Sequence, residues 1–241
     1  MTNDRAASNC TETNPGPALA SVIAIDGPVA SGKTTVGLNL ARELGYRLVD
    51  TGMMYRAITW LALHEGVDIL EEEAVTTLAR LAQIELGQPT KEGNPRLSIN
   101  GLDITNELRS PEVDRNVSLV SRVAGVREAM VRRQRELAGE GNLIMLGRDI
   151  GTVVLPDAPL KVYLDASARE RAHRRRLELL ENGVDRPEQE IFEELEQRDE
   201  MDRNRHASPL RPAEGAIIIV TDGLSLEEVV DRVRAAAGVS G

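Results

Sequence analysis

Short apolar runs alternate with amphipathic stretches along most of this chain, and the pattern begins only after a polar stretch. Residues 1–20, with Pro15 and Pro17, carry no hydrophobic period and are expected to form a disordered extension, leaving 21–241 as the folded unit. Ser21–Asp26 is short, apolar and β-branched, as a buried strand should be. Thr34–Leu44 has apolar residues at helical spacing and ends near Gly45. Arg47–Asp50 reads as a second strand and Asp50-Thr51-Gly52 as a turn. Helices are predicted over Met53–Glu65, with Ile58, Leu61 and Ala62 on one face, and over Glu71–Ala82, whose acidic start suits the helix dipole. The period then changes. Gln83–Leu86, Arg96–Ile99 and Leu102–Ile104 read as small strands, the last two joined by the hairpin signal Asn100-Gly101. Helices resume near Pro111, with a long one predicted over Val120–Leu137. Asn142–Leu146, Leu160–Asp165 and Ala216–Val220 read as strands, and Ala168–Leu180 and Glu188–Met201 as charged helices. Such alternation predicts an α/β fold, a parallel sheet flanked by helices, with the small β-rich piece as a substrate-side insert.

Between the first strand and the first helix stands Gly27-Pro28-Val29-Ala30-Ser31-Gly32-Lys33-Thr34, which fills every position of G-x-x-x-x-G-K-[ST]. A helix N-terminus offers free backbone N–H groups and the positive end of the dipole to phosphate oxygens. Gly27 and Gly32 allow close wrapping, Lys33 can reach the β- and γ-phosphates, and the Thr34 hydroxyl can ligate Mg²⁺. Thr35 extends the same turn. A chance glycine-rich turn would not have both flanks correct. A nucleoside triphosphate is therefore the expected ligand of residues 27–35.

Composition narrows the class further. The chain has 241 residues, 41% of them hydrophobic, but only one Trp, three Tyr and one Phe, so its core must be mostly aliphatic. A formal charge of −10 argues against nucleic acid and anionic membranes as partners. Cys10 is the single cysteine, no run approaches a membrane span, and the first residues lack a signal-peptide core; a soluble cytoplasmic protein is expected. Of 29 basic residues only Lys33, Lys91 and Lys161 are lysines, leaving 29 − 3 = 26 arginines, residues that grip phosphates bidentately. His64, His173 and His206 are scattered without metal-ligand spacing, and Trp60 and Phe192 read as packing residues. A GTPase would need an Asn-Lys-x-Asp guanine reader, which none of the three lysines provides. A motor ATPase would close an apolar strand on Asp, whereas Asn142–Leu146 leads into Gly147-Arg148-Asp149. What remains is a small-molecule kinase.

Asp50–Arg56 (Asp-Thr-Gly-Met-Met-Tyr-Arg), Val126–Met130 (Val-Arg-Glu-Ala-Met), Gly147–Val154 (Gly-Arg-Asp-Ile-Gly-Thr-Val-Val) and Arg198–Arg205 (Arg-Asp-Glu-Met-Asp-Arg-Asn-Arg) follow the phosphate loop in that order. Together they resemble the bacterial cytidylate kinase family, nucleoside-monophosphate kinases, over about Val22 to Val230. The resemblance implies a P-loop three-layer fold with a five-stranded parallel core sheet. It also implies a β-rich monophosphate-binding insert at about 66–110 and a mobile helical lid at about 168–186. It implies transfer of the ATP γ-phosphoryl group, with Mg²⁺, to CMP or dCMP.

Several positions carry both a local reading and a family one. Tyr55 and Arg56 stand at a helix start suited to an incoming phosphate, though Arg56 could equally be a solvated helix residue. Arg148 and Asp149 follow a core strand, where parallel sheets place ligands, or where a buried ion pair could sit. Arg198, Asp202 and Arg205, spaced i, i+4, i+7, share one face if the helix runs that far, as a surface ion-pair ladder also would. The family likeness puts Arg56 and Arg148 on the acceptor phosphate, Arg198 and Asp202 on sugar hydroxyls, and Arg205 on the base and phosphate side. It puts Ser118, Arg127 and Asp149 on cytosine, and Thr51 near the sugar or phosphate. The basic run Arg169–Arg176 reads either as a charged solvent face paired with Glu170 and Glu178 or, as the likeness implies, as part of a lid over the ATP phosphates. Arg171 and Arg175, on one i, i+4 face, are then the expected phosphate contacts, with Lys33 and Arg148 beside the reacting groups. Rival readings are a UMP/CMP- or shikimate-type kinase and a non-catalytic nucleotide-binding module. A monomer is expected.

Overall fold

The computed structural model describes residues 20–87, 95–181, 183–205 and 207–238. All but Ala20 of the expected disordered extension, together with Cys10 and His206, lies outside the described residues. Five strands form one sheet in the order β2-β6-β1-β7-β8: β1 Val22–Asp26, β2 Arg47–Asp50, β6 Leu143–Gly147, β7 Leu160–Asp165 and β8 Ile217–Val220. Every pairing among them is parallel, as expected of a strand–helix alternation. Side chains alternate across the sheet. Ile23, Ile25, Ile144 and Leu146 pack toward α1 (Lys33–Leu44) and α8 (Leu226–Ala236), while Ala24, Leu143 and Met145 pack toward α2 (Thr51–His64) and α5 (Ala124–Ala138). Strand β1 is central, and its Ile23, Ala24 and Ile25 are 0% exposed. Each such aliphatic side chain contributes about 1.5–3 kcal/mol of burial.

The insert is a three-stranded antiparallel sheet, β3 Ile84–Gly87, β4 Arg96–Ile99 and β5 Leu102–Asp103, beside α3 (Glu72–Leu81). Asn100 (φ 50°) and Gly101 (φ 80°) make the left-handed turn that their dipeptide signals. Its buried Ile84, Leu97 and Ile99 belong to the same hydrophobic cluster as Met54 and Ile58 of α2, so the insert is fused to the core. A three-residue 3₁₀ turn, Glu107–Arg109, leads into α4 (Pro111–Arg122), which opens with Pro at its first position and the Ser110 side chain as cap.

Several boundaries depart from expectation. The long helix over Val120–Leu137 is two helices, because Val123 turns extended (ψ 120°) and α5 begins after it. The turn at Asp50-Thr51-Gly52 is already α2, with the Asp50 carboxylate accepting the Gly52 N–H at 3.0 Å as its cap. Helix α8, outside the expected elements, is announced by a capping box between Ser225 and Glu228. Helices α6 (Ala168–Glu181) and α7 (Glu188–Arg203) pack on each other through Ala172, Ile191 and Leu195. Since α7 stops at Arg203, Arg205 is not on its face; it lies in the following segment and turns back toward Asp202.

The contact between α3 and α5 requires a glycine. A Cβ on Gly125 would sit 2.3 Å from Thr76 Cγ2 and 2.5 Å from its Oγ1. We expect Gly125→Ala to lower stability by about 1–3 kcal/mol, the usual cost of overpacking. Adding Thr76→Ala should recover most of that loss, so chemical denaturation of the single and double variants should be non-additive.

Candidate active site

Register brings the strand ends together: Asp26 pairs in line with Gly147 and Tyr163, and Asp50 with Leu146. The segments leaving β1, β2, β6 and β7 therefore emerge at one edge, where α/β sheets bind ligands. From β1 comes the phosphate loop. Gly27 has φ 152°, and a Cβ there would sit 2.1 Å from the Leu164 carbonyl oxygen, so no other residue fits. Helix α1 then starts at left-handed Gly32 with no side-chain cap and no acidic residue in its first turn. Its amino end is left open to an anion.

Lys33 Nζ folds back over the loop, donating to the Pro28 carbonyl at 2.5 Å and to Ser31 Oγ at 3.3 Å. Burial, reinforced by the nearby Arg148 charge, lowers its pKa to about 7. The Thr34 hydroxyl donates to Asp50 Oδ2 at 3.1 Å. A hydroxyl beside a carboxylate, with phosphate oxygens to come, suits Mg²⁺, which keeps most of its waters. Among the described residues no group of three or more acidic, His or Cys side chains forms a closed metal cage. Asp26, 3% exposed, accepts the N–H groups of Ile150 and Gly151 at 2.8 and 2.7 Å, and burial raises its pKa to about 6. Thus the carboxylate that ends β1 pins the wide turn Ile150–Val154 following Arg148 and Asp149.

Facing the loop is a group of arginines. Arg56 pairs with Asp114 of α4 at 2.6 Å and donates to the Leu108 carbonyl at 2.9 Å. Arg148 Nε bonds to Asp202, whose charge and hydrogen bond hold Arg148 above its usual pKa despite burial. Asp202 is correspondingly held low, against its own burial, by Arg148, Arg205 and Arg198. Arg205, 7% exposed at its side chain, lies 3.7 Å from the other Asp202 oxygen and donates to the Ser208 carbonyl. Arg198 differs. Among the described residues it has no ion pair, its Nε is buried without a partner, and burial together with Arg148 and Arg56 lowers its pKa to about 10. A guanidinium in that setting calls for an anion.

A second pair lies deeper. Arg127 and Asp149, 3% and 4% exposed, bond at 2.5 Å, and Arg127 also donates to the Ser121 carbonyl. The Tyr55 ring lies 5.3 Å below that guanidinium. Ser118 is half-buried on α4 four residues after Asp114, and its carbonyl accepts the Ser121 hydroxyl. Asp149 and Arg148 are thus both in ion pairs, at the edge of the sheet from which the phosphate loop also leaves. Thr51 faces inward, donating its hydroxyl to the Leu146 carbonyl at 2.8 Å.

The lid arginines are placed differently from expectation. Arg171 is 2% exposed and spends its donors on Asp199, the Ala166 carbonyl and the Val29 carbonyl. It braces the phosphate loop from behind, because its side of α6 packs on α7. Arg175 pairs with Glu178 at 2.7 Å and reaches Asp114 at 3.9 Å, on the Arg56 side. Arg174 is the one over the loop: its Nη1 comes within 4.0 Å of a Cβ built on Gly32 while bonding Thr221. Asp26, Asp50, Asp114, Asp199 and Arg174 carried no individual role in the sequence reading. Asp26 and Asp50 could have been found as charges ending apolar strands; the other three acquire meaning only through packing.

A phosphate loop on a five-stranded parallel sheet, with arginines and carboxylates gathered at the same edge, defines a P-loop kinase-like fold. The profile of the cytidylate kinase family matches residues 23–238. A cytidylate kinase of Desulforamulus reducens is 47% identical over 211 residues, covering 88% of this chain and 94% of its own. One from Roseiflexus castenholzii is 49% identical over 213 residues, covering 87% and 90%. The chain also aligns with a solved shikimate kinase of Bacteroides thetaiotaomicron at 15% identity and a TM-score of 0.46, covering 91% of this chain and 99% of that one. This chain belongs to the cytidylate kinase family.

The lowered pKa of Lys33 gives a measurable sign. Free Lys33 is largely neutral at pH 8, and a bound triphosphate favours the charged form, so binding takes up a proton above pH 7. Calorimetric titration of ATP at pH 8, in two buffers of different ionisation heat, should register uptake of up to about one proton. Lys33→Met should abolish it. Uptake of zero in the wild type would refute the lowered pKa.

Proposed function

We propose that this enzyme transfers the γ-phosphoryl group of ATP, with Mg²⁺, to CMP and dCMP, giving CDP and dCDP. The observation that carries this reading is Arg198, a half-buried cation with no ion pair among the described residues, close to the charges of Arg56 and Arg148. The acceptor's phosphate would complete that set. Its attacking oxygen is already anionic at neutral pH, so no general base is needed; alignment and charge neutralisation do the work. Lys33 and the backbone of residues 27–35 hold the donor phosphates, and Arg174 closes over the loop. Arg56, Arg148 and Arg198 hold the acceptor phosphate and its sugar, and Asp202 keeps Arg148 oriented while serving a sugar hydroxyl. Thr34 and Asp50 are the residues that would hold Mg²⁺, which when bound would supply further neutralisation of the transferring group.

The base is read at the deeper pair. The Asp149 carboxylate accepts from the exocyclic amine of cytosine, and Arg127, with Ser118, donates to its ring nitrogen and carbonyl. Uracil offers an acceptor where Asp149 needs a donor, which penalises UMP. Helices α6 and α7 act as the cover that excludes water, the competing acceptor. Among the described residues no helix is long and apolar enough to cross a membrane, and a net charge of −10 disfavours nucleic-acid partners.

A panel assay with ATP, Mg²⁺ and CMP, dCMP, UMP, AMP, GMP or shikimate should give fast ADP release with CMP and dCMP. Fast release with UMP and not CMP would overturn the specificity, and no turnover at all would favour a binding module. In the same assay, Arg198→Ala should raise KM for CMP about 10- to 150-fold, the value of a charge-assisted hydrogen bond. KM for ATP should stay within about twofold. An equal effect on both would move Arg198 out of the acceptor site.

A further inference from the structure

Below the Arg127–Asp149 pair lie polar groups that phosphoryl transfer does not use. Gln134 is 1% exposed, and among the described residues neither its amide nitrogen nor its oxygen has a hydrogen-bond partner. The hydroxyl of Tyr55 and Nε of Arg127 are likewise buried and unpartnered. These atoms are neighbours. Gln134 lies two helical turns after Arg127 along α5, on the same face. Its side chain faces the Tyr55 hydroxyl closely enough to act on it as a hydrogen-bond partner, but not within full hydrogen-bonding geometry. Tyr55 in turn lies under the Arg127 guanidinium.

Core positions rarely hold an unsatisfied amide, because an apolar side chain of the same size would avoid the desolvation cost. Met130, one turn earlier on that face, shows that the site accepts such a residue. Orphans gathered beside a recognition pair are therefore best explained by a partner present only when the site is filled. In the free protein Asp149 neutralises Arg127 directly. Once cytosine's amine engages Asp149, that carboxylate is shared, and the guanidinium needs another acceptor to keep its plane. The Gln134 oxygen and the Tyr55 hydroxyl are the unused acceptors nearby.

We infer that Gln134 is a positioning residue for base selection, acting through Tyr55 to hold Arg127 in plane when Asp149 engages the acceptor's base. The inference rests on the reading of Arg127 and Asp149 as the cytosine site. Gln134 touches neither the reacting phosphates nor the loop, so its effect belongs in acceptor KM and base preference.

Gln134→Leu tests it, with Tyr55→Phe as a second variant that keeps the ring. Gln134→Leu should keep or raise the melting temperature, since it removes orphan polar atoms, and leave KM for ATP unchanged. It should raise KM for CMP about 5- to 20-fold, the value of one ordinary hydrogen bond, and shrink the CMP-over-UMP ratio of kcat/KM by a similar factor. Tyr55→Phe should do the same, and the double variant should be no worse than either single one, as groups acting in series require. Gln134→Glu, which retains an acceptor oxygen, should recover part of the CMP KM. An unchanged CMP KM and CMP:UMP ratio in both single variants would overturn the proposal, as would a fall in kcat equal for CMP and UMP. A wild type preferring UMP would instead sink the cytosine reading, whatever the variants do.

Discussion

Repulsion among arginines is the constraint on which the rest of this structure depends. A site for two polyanions must collect cations before either ligand arrives, and those cations then face each other out of bulk water. The protein answers with buried or half-buried carboxylates, some of them shared: Asp114 for Arg56 and Arg175, Asp202 for Arg148 and Arg205, Asp149 for Arg127, and Asp199 for Arg171 and Arg203. Arg198 is the exception, pushed to a lower pKa by burial and by its neighbours. The free enzyme therefore stores an unfilled demand for negative charge at one defined point.

The scaffold turns that demand into geometry. A parallel sheet delivers four loops to one edge, and the carboxylates ending β1 and β2 take part in holding them. Asp26 ties the Ile150–Val154 turn to the base of the phosphate loop, while Asp50 caps α2 and accepts the Thr34 hydroxyl. The donor half and the acceptor half of the site are thus linked through backbone hydrogen bonds to strand-end acids. Behind them, Arg171 couples the Val29 carbonyl to Asp199 of α7, so the covering helices and the loop share one rigid contact.

Features set by neighbouring residues were legible before any coordinates. The phosphate loop, the Asn100-Gly101 hairpin and the short apolar strands each follow from local sterics and periodicity, and their boundaries fell within a residue or two. Reading arginines was harder. Arg171 and Arg175 share a helical face by spacing, yet spacing does not say which face meets α7, and the cation over the loop is Arg174. Val123 breaks a stretch whose propensity is helical throughout, because α4 and α5 must turn to close on α3 and α2. Gln134 in a charged helix reads as a surface residue until packing buries it.

The sequence by itself determined the class of fold, the donor site and, through its ordered motifs, the family, because each depends on contiguous residues whose chemistry is local. Only the tertiary structure decided which of these arginines are neutralised, that Arg198 has no ion pair among the described residues, and which acids do the neutralising. Those outcomes depend on partners more than 50 positions apart, Arg56 with Asp114 (114 − 56 = 58) and Arg148 with Asp202 (202 − 148 = 54). A charge acquires its role from what surrounds it after folding, since burial and proximity, rather than residue type, set the cost of leaving it alone.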